Sequence, residues 1–329
     1  VLDLGAAPLS NSFLSSKQLG EAERYYPLKV VVCKSCFFIQ LNYEADSNEI
    51  FNENYVYFSG VSDTWIDHTK KYSKQVIKEF EITENNFVVE VASNDGTLLK
   101  NFRDQSIPCL GIEPTISTAT KAKLDGLEVL VDFFSTDVAA KVSDKKGQAD
   151  LIICNNVLAH VPDLLDFVNG LRLLLSPGGV ITIEVPNVYN IIEGRQFDTV
   201  YHEHFSYFSF HSLKNILERF ELRIFKVESL TTHGGSMRAY VAHKDAEYLV
   251  HSSCPLMEDK EIGWGVHDIN VYKSIQTSSE VVKNDVLAFL IEQKRQGKTV
   301  VGYGAAAKGN TLLNFAGIRG DLLSCVVDA

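Results

Sequence analysis

Between residues 86 and 185 this chain repeats one pattern: a short apolar run, a small polar turn, then a stretch of helical spacing. The runs fall at 87–92, 109–113, 128–131, 149–154 and 179–185. Strands alternating with helices in this order form a parallel sheet with crossover helices, so the pattern predicts a doubly wound α/β domain. The helical stretch at 164–175 ends in Ser176-Pro177-Gly178-Gly179, a helix stop and turn. Two later runs, 222–227 and 236–242, flank Thr231-Thr232-His233-Gly234-Gly235 and are expected to complete the sheet as an antiparallel pair.

The flanks read differently. Residues 1–60 hold turns, aromatics and Cys33-Lys34-Ser35-Cys36 without long helical periodicity, which suggests a small irregular module leaning on its neighbour. Residues 64–80 place Trp65, Ile66, His68, Tyr72, Val76, Ile77 and Phe80 at mostly helical spacing and predict an entry helix. Around 243–266 the pattern is interrupted by Pro255, Gly263 and Gly265. A long helix over 266–297 is expected next, followed by strand, glycine turn and helix in Thr299-Val300-Val301-Gly302-Tyr303-Gly304-Ala305-Ala306-Ala307-Lys308-Gly309. The expected division is 1–60, 61–245 and 246–329, in keeping with a chain of 329 residues.

Bulk properties narrow the function. With 45 % hydrophobic and 22 % charged residues the composition is that of a globular protein, and no apolar run reaches the roughly 18 to 20 residues of a membrane span. The sequence shows no basic start followed by an apolar run and small-residue cleavage site, and six scattered cysteines make no disulfide framework, so a cytoplasmic location is expected. A formal net charge of -11 disfavours a nucleic-acid partner, which calls for a basic patch. Both ends, Val1-Leu2-Asp3-Leu4-Gly5 and Ser324-Cys325-Val326-Val327-Asp328-Ala329, read as cut.

In Val88-Val89-Glu90-Val91-Ala92-Ser93-Asn94-Asp95-Gly96 a buried strand runs into a small turn at the carboxyl edge of the sheet, where doubly wound folds bind ligands. A dinucleotide would ask for G-x-G-x-x-G; this turn has one glycine and offers carboxylates, which suits a cationic ligand. S-adenosylmethionine carries a sulfonium and an ammonium, so Glu90 and Asp95 are electrostatically sensible beside it. About 20 residues on, Glu113 in Gly111-Ile112-Glu113-Pro114 stands where an acid binds ribose hydroxyls. Asp132 and Phe133 follow the third strand, placed to meet an adenine amino group and stack on the ring. Taken singly, each of these also reads as an ordinary strand-end acid or turn residue.

Cys154-Asn155-Asn156-Val157-Leu158-Ala159-His160 follows the fourth strand and so shares that sheet edge; Asn155, Asn156 and His160 can face the pocket. After the fifth strand, Tyr201-His202-Glu203-His204 packs two histidines, an acid and a tyrosine among apolar residues. A desolvated histidine beside a carboxylate is a plausible general base. A hydrogen-bonded buried His/Tyr cluster is the competing reading. The metal motif H-E-x-x-H needs histidines four apart, whereas His202 and His204 are two apart.

At this point the chain resembles the deoxysugar C-methyltransferases that act on thymidine-diphosphate-linked 4-keto-6-deoxysugars. The segments carrying the likeness are Leu2-Asp3-Leu4-Gly5, Pro8-Leu9-Ser10-Asn11, Tyr26-Pro27-Leu28, Glu90 to Gly96, Ala159-His160-Val161-Pro162-Asp163, Glu184-Val185-Pro186-Asn187, Tyr201 to His204, His233-Gly234-Gly235-Ser236 and Gly302 to Gly309. The resemblance implies a class I methyltransferase Rossmann-like sheet, a small zinc-ribbon-like module before it and a second, truncated Rossmann-like lobe after it. It implies that His204 removes the proton from sugar C3 to give an enolate, with Tyr201, Glu203, His160 and Asn156 holding and polarising the substrate. Glu90, Ala92, Ser93, Asn94, Asp95, Gly96, Glu113, Asp132, Phe133 and Asn155 would bind S-adenosylmethionine, with Tyr55 or Tyr57 covering it.

Gly302, Gly304, Lys308 and His233 become contacts of the nucleotide-sugar substrate, although a tight strand-to-helix turn with a solvated lysine is the alternative for the first three. Cys33 and Cys36 match the second pair of a four-cysteine structural zinc site whose first pair this chain lacks; Cys109, Cys154, Cys254 and Cys325 read as buried apolar thiols. A monomer or weak oligomer is expected. The competing functions are O- or N-methylation of a nucleotide sugar, and a non-catalytic homologue that only binds nucleotide sugar or S-adenosylmethionine.

Overall fold

The computed structural model describes residues 1–43, 45–50, 57–304 and 307–327. Strands β1 (Leu2–Ala7), β2 (Tyr26–Val32) and β3 (Ile39–Leu41) precede a short helix α1 (Ser47–Ile50) and the entry helix α2 (Asp63–Glu79). The alternating region follows as β4 (Val88–Val91), α3 (Lys100–Arg103), β5 (Cys109–Ile112), α4 (Ile116–Leu124), β6 (Val129–Leu130), α5 (Thr136–Lys146), β7 (Ala149–Asn155), α6 (Leu164–Leu174) and β8 (Leu175–Pro186). Beyond it come α7 (Val188–Glu193), β9 (Ser206–Tyr207), α8 (Phe210–Glu218), β10 (Leu222–Leu230) and β11 (Ser236–His243). The chain then forms α9 (Ser253–Trp264), α10 (Ile269–Arg295), β12 (Gly302–Tyr303), α11 (Ala307–Ala316) and β13 (Val326–Val327).

The central sheet has seven strands in the order β10-β11-β8-β7-β4-β5-β6. Its strands β4 to β8 run parallel, while β11 pairs antiparallel with both β8 and β10, as the later apolar runs predicted. This is the class I methyltransferase arrangement of an α/β sheet. The chain leaves β4 towards β5 and β6, then returns to β7 on the other side, so the carboxyl ends of β4 and β7 border a crevice at the topological switch point.

Burial on both faces explains why the strands read as continuous apolar runs. In β7, Ile152 and Cys154 join one core with Val89, Leu171 and Ile181, whereas Leu151 and Ile153 join another with Tyr72, Phe102 and Tyr240. Helix α2 covers the second face: Ser62 caps its start by accepting from Trp65 N, and Tyr72 reaches Thr182 Oγ1 at 2.5 Å. Gly111 in β5 is required by close approach, since a Cβ there would be driven into the side chain of Ser93 in the turn after β4.

The amino-terminal segment leans on its neighbour through main-chain bonds. Its sheet has the order β1-β2-β3-β9, and β9 comes from residues 206 and 207. Leu2, Leu28, Val30 and Ile39 share a core with Val188, Ile191, Phe197 and Val200 and with Tyr272 and Ile275 of α10.

Two expectations change beyond residue 243. The interrupted stretch contains a helix, α9, and the long helix starts at Ile269. Pro255 lies in the first turn of α9, where a missing N–H leaves no bond unmade, and Gly265 ends it in the left-handed region at φ +98°. Both residues punctuate helix ends that the spacing had suggested were gaps. Cys325 is exposed, unlike the buried Cys154 and Cys254. Among the described residues no helix is long and apolar enough to cross a membrane.

Candidate active site

The crevice between β4 and β7 opens into a cavity of about 620 Å³, the size of a small-molecule site. One half is built around the turns after β4 and β5. Ala92 and Asn94 adopt φ of +56° and +50°, a left-handed conformation that costs a residue with a Cβ about 1–2 kcal/mol. The sharp turn lets Asn94 N donate to Glu113 Oε2 at 2.9 Å, while Glu113 Oε1 accepts from Thr115 N at 2.9 Å and Thr118 Oγ1 at 3.0 Å. A carboxylate has about four acceptor positions, so Glu113, which lines the cavity, keeps capacity for one hydroxyl donor. Apolar walls come from Val91, Ile112, Phe133, Phe134, Val157 and Phe167.

The acids of the first turn are placed differently from Glu113. Asp95 Oδ2 accepts from Gly60 N at 2.8 Å and Asn94 Oδ1 from Ser59 N at 2.9 Å, so together they pin the segment carrying Tyr57 beside the cavity that Tyr57 lines. Asp95, Ser93 and Gly96 shape the turn from behind and do not line the cavity; Ala92 and Asn94 do. Burial, with the negative charges of Asp95 and Glu113, pushes the Glu90 carboxyl well above its ordinary range. Asp132 is exposed, accepts from Phe133 N and stays outside the cavity wall. Tyr55 lies outside the described residues.

The other half gathers the residues after β7 and β8. Asn156 takes φ +56° and donates its N–H to Glu184 O at 2.7 Å. Both side-chain amide atoms of Asn155 and of Asn156 are buried at the cavity with no hydrogen-bond partner among the described residues. Buried polar atoms left unpaired cost roughly 1–3 kcal/mol each, which marks the place where a polar ligand belongs. Glu90 Oε2 and Ser93 Oγ are also without a partner among the described residues but lie beneath the first turn, outside the cavity wall; with the two asparagines and Glu113 at the wall, the residues present fit a polar methyl donor of nucleoside type.

His204 stands at the centre of this half. Its Nδ1 donates to Thr199 O at 2.8 Å, because a carbonyl can only accept, and Nε2 therefore carries the lone pair in the neutral ring. Tyr201 Oη lies 2.9 Å from Nε2, with the ring centroids 4.1 Å apart. Burial and then the neighbouring His160 lower His204 far below the ordinary histidine value, and burial raises Tyr201, so a neutral imidazole accepts from a protonated phenol. His160 meets His204 edge to face at 4.8 Å and is itself pushed down to about 4 by burial. Glu203 Oε1 accepts from Asn11 Nδ2.

Lys308, in the first turn of α11, and His233 also line the cavity, whereas Gly302 and Gly304 do not. His202 turns away from His204 and donates Nε2–H to Tyr26 O at 3.3 Å. Among the lining residues that the sequence reading of the site did not name are Asn11, Trp65 and Asp166. Asp166 sits in the first turn of α6, where its N–H is capped by Asp163 Oδ1 at 3.1 Å; the helical spacing around Trp65 and the Pro8-Leu9-Ser10-Asn11 segment do not by themselves point to this cavity.

Cys33 and Cys36 occupy the exposed turn between β2 and β3, where N–H groups of Cys36 and Ser35 favour the Cys33 thiolate and lower its pKa. Among the described residues no third histidine, cysteine, aspartate or glutamate joins them in a metal-binding group. Two thiolates supply half of the four ligands a structural zinc takes, so the described residues alone do not fit a closed zinc site.

Comparison with known proteins matches each part of the chain. Residues 231–329 match the family "C-methyltransferase C-terminal domain", 65–227 a "Methyltransferase domain" and 1–51 a "Putative zinc binding domain". The C-methyltransferase NovU of Streptomyces niveus is 31 % identical over 318 residues, covering 97 % of this chain and 76 % of that protein. A ubiquinone biosynthesis O-methyltransferase of Hydrogenovibrio crunogenus is 23 % identical over 154 residues, covering 44 % of this chain and 62 % of that one. Among solved structures, the PH0226 protein of Pyrococcus horikoshii aligns over 61 % of this chain and 99 % of its own at 12 % identity and a TM-score of 0.47. A SAM-dependent methyltransferase of Archaeoglobus fulgidus aligns over 54 % and 94 % at 16 % identity and a TM-score of 0.45. By its likeness to NovU along nearly its whole length, the chain belongs to the C-methyltransferase family, and it is an S-adenosylmethionine-dependent C-methyltransferase.

Proposed function

We propose that the enzyme methylates C3 of a nucleotide-linked 4-keto-6-deoxyhexose through an enolate formed by His204. The observation that carries this reading is His204 itself: a buried neutral imidazole, its Nδ1 tied to Thr199 O and its Nε2 to Tyr201 Oη, lining the same cavity as Glu113. Bound S-adenosylmethionine would supply a methyl group already activated by a positive sulfur. Glu113 is assigned to a ribose hydroxyl, Asn155 to the donor's polar groups, and Phe133 with its apolar neighbours to adenine. Asn94 and Asp95 hold the Tyr57 segment over that half.

A proton moves from the sugar carbon to Nε2 of His204. Once protonated, Nε2 is a donor, and Tyr201 changes from giving a hydrogen bond to receiving one. The phenolic O–H is thereby released for the oxygen of the ketone, where negative charge develops, and pre-placed donors of this kind are the largest single contribution in many enzymes. Asn156, His160 and Glu203 hold the sugar, and Lys308 and His233 meet the diphosphate side. Residues 1–60, 61–245 and 246–329 are read as three modules that contribute Asn11, the two turns, and Lys308 to one cavity. Cys33 and Cys36 are assigned as two of the ligands of the first module's metal.

The test is proton exchange. Incubated with a nucleotide-linked 4-keto-6-deoxyhexose in deuterated water, the enzyme is expected to exchange the C3 hydrogen, and His204→Ala to lose that exchange while still gaining thermal stability from S-adenosylhomocysteine. A ligand at 100 times its Kd adds about 2.7 kcal/mol. Methyl transfer to oxygen or nitrogen with no exchange in the parent enzyme would remove the proposal in favour of another acceptor atom.

A further inference from the structure

One buried carboxylate has no part in the chemistry above. Glu184, near the end of β8, is fully buried, and burying a charge costs several kcal/mol unless its partners are well placed. Its Oε1 accepts from Thr232 Oγ1 at 3.0 Å, and its Oε2 accepts from Arg238 Nη2 at 2.8 Å and lies 3.1 Å from His68 Nε2. These partners come from α2, from β11 and from the turn between β10 and β11, all of which meet behind one wall of the cavity.

That wall is aromatic. His68 stacks on Trp65, one turn earlier in α2, with centroids 5.0 Å apart and planes 24° from parallel. Trp65 in turn meets His233 at 6.0 Å, and both line the cavity. His233 follows Thr232 and takes φ +51° in a turn continued by Gly234 and Gly235, so it is held in a left-handed conformation beside the hydroxyl that Glu184 binds. Through its two oxygens Glu184 therefore fixes both components of the wall. Its place is the reaction side, since Trp65 and His233 line the same cavity as Tyr201, Glu203 and His204.

We propose that Trp65 contacts the sugar ring of the substrate as an aromatic platform, and that Glu184 is the positioning residue that holds it through His68. The inference rests on the keto-sugar reading and deepens it. A 6-deoxyhexose presents C–H groups on its ring and a methyl group at C6, which a rigid indole covers with little loss of conformational freedom. On the reading above, the polar edge of such a ring is served by Asn156, His160 and Glu203, so an apolar face opposite them is what remains to be supplied.

The full-length Trp65→Ala enzyme is expected to raise the KM for a nucleotide-linked 4-keto-6-deoxyhexose about tenfold, the upper range for an aromatic contact, and to change kcat less than about threefold. Trp65→Phe should recover most of the loss, and calorimetric affinity for S-adenosylhomocysteine should stay within about twofold of the parent. If Glu184→Gln folds, as judged by its melting curve, it should show the same rise in KM; if it does not fold, the Trp65 pair decides. An unchanged sugar KM in Trp65→Ala, or an equal loss of S-adenosylhomocysteine affinity, overturns the platform. Absence of keto-sugar turnover in the parent enzyme removes the keto-sugar reading and the platform together, whereas parent turnover with an unchanged KM in the variant removes the platform alone.

Discussion

His160 and His204 face each other edge to face, and burial holds both imidazoles uncharged in the folded protein. An unfolded chain takes up these protons near the ordinary value of 6.5, while folded His160 takes its proton only near 4. Between those values the unfolded state binds more protons, so stability rises with pH there: it is complete above 6.5 and is lost as the pH falls towards 4. At about 1.4 kcal/mol per pH unit, His160 accounts for up to ~3 kcal/mol, and His204 acts in the same direction. Urea midpoints measured from pH 7.5 to 4.5 should fall, and His160→Asn should flatten part of that slope; an unaltered slope would place the acid sensitivity elsewhere. Glu113 was legible in the sequence as a strand-end acid because parallel neighbouring strands, β4 and β5, bring their carboxyl ends to one sheet edge. Asp95 was legible as an acid but not in its role, since only the fold brings Gly60 N to within 2.8 Å of it.

Helix α11 carries both a cavity cation and a brace. Lys308 lines the cavity, and Thr311, three residues on and so on the same face, donates its hydroxyl to Val200 O at 2.9 Å. The preceding carbonyl, Thr199 O, receives His204 Nδ1–H, so successive carbonyls anchor the loop and His204. Thr311→Val keeps the side-chain volume but leaves Val200 O buried without that partner, at a cost of about 1–3 kcal/mol. Melting temperature and kcat are expected to fall, kcat by about tenfold, with affinity for S-adenosylhomocysteine unchanged and with Thr311→Ser close to the parent. Full activity in Thr311→Val would mean that the loop needs no brace. At this scale the parallel strands were readable because burial on both faces demands unbroken apolar runs. Helix α9 was not, because the proline in its first turn and the glycine at its end look the same in sequence as a broken segment.

The core that contains Leu28 runs through residues from the first strand to α10 and α11. Leu28 is 1 % exposed in it, and Leu28→Ala should cost about 2–5 kcal/mol, the range for a buried leucine that leaves a cavity. Because β3 pairs with β9 and the cluster spans all three segments, that loss should lower one thermal transition of the whole chain, with no separate early melting of the amino-terminal part. Calorimetry with a probe on Trp264, which packs against this cluster, checks it; two transitions, only one of them shifted, would show the segments to be independent.

Periodicity and turn chemistry alone determined the α/β class, the strands of the seven-stranded sheet, its antiparallel closing pair and the acid at the end of β5, because each is dictated by residues near one another in the chain. The sequence also named most of the reacting half, Asn156, His160, Tyr201, Glu203 and His204, as chemistry-bearing side chains. Tertiary structure decided which of them meet. It turned His204 inward and His202 towards Tyr26, set Nδ1 on Thr199 O so that Nε2 carries the lone pair, and brought Asn11, Trp65 and Lys308 from distant segments to one cavity. Such meetings depend on long-range packing and on desolvation, and neither quantity is carried by any local stretch of residues.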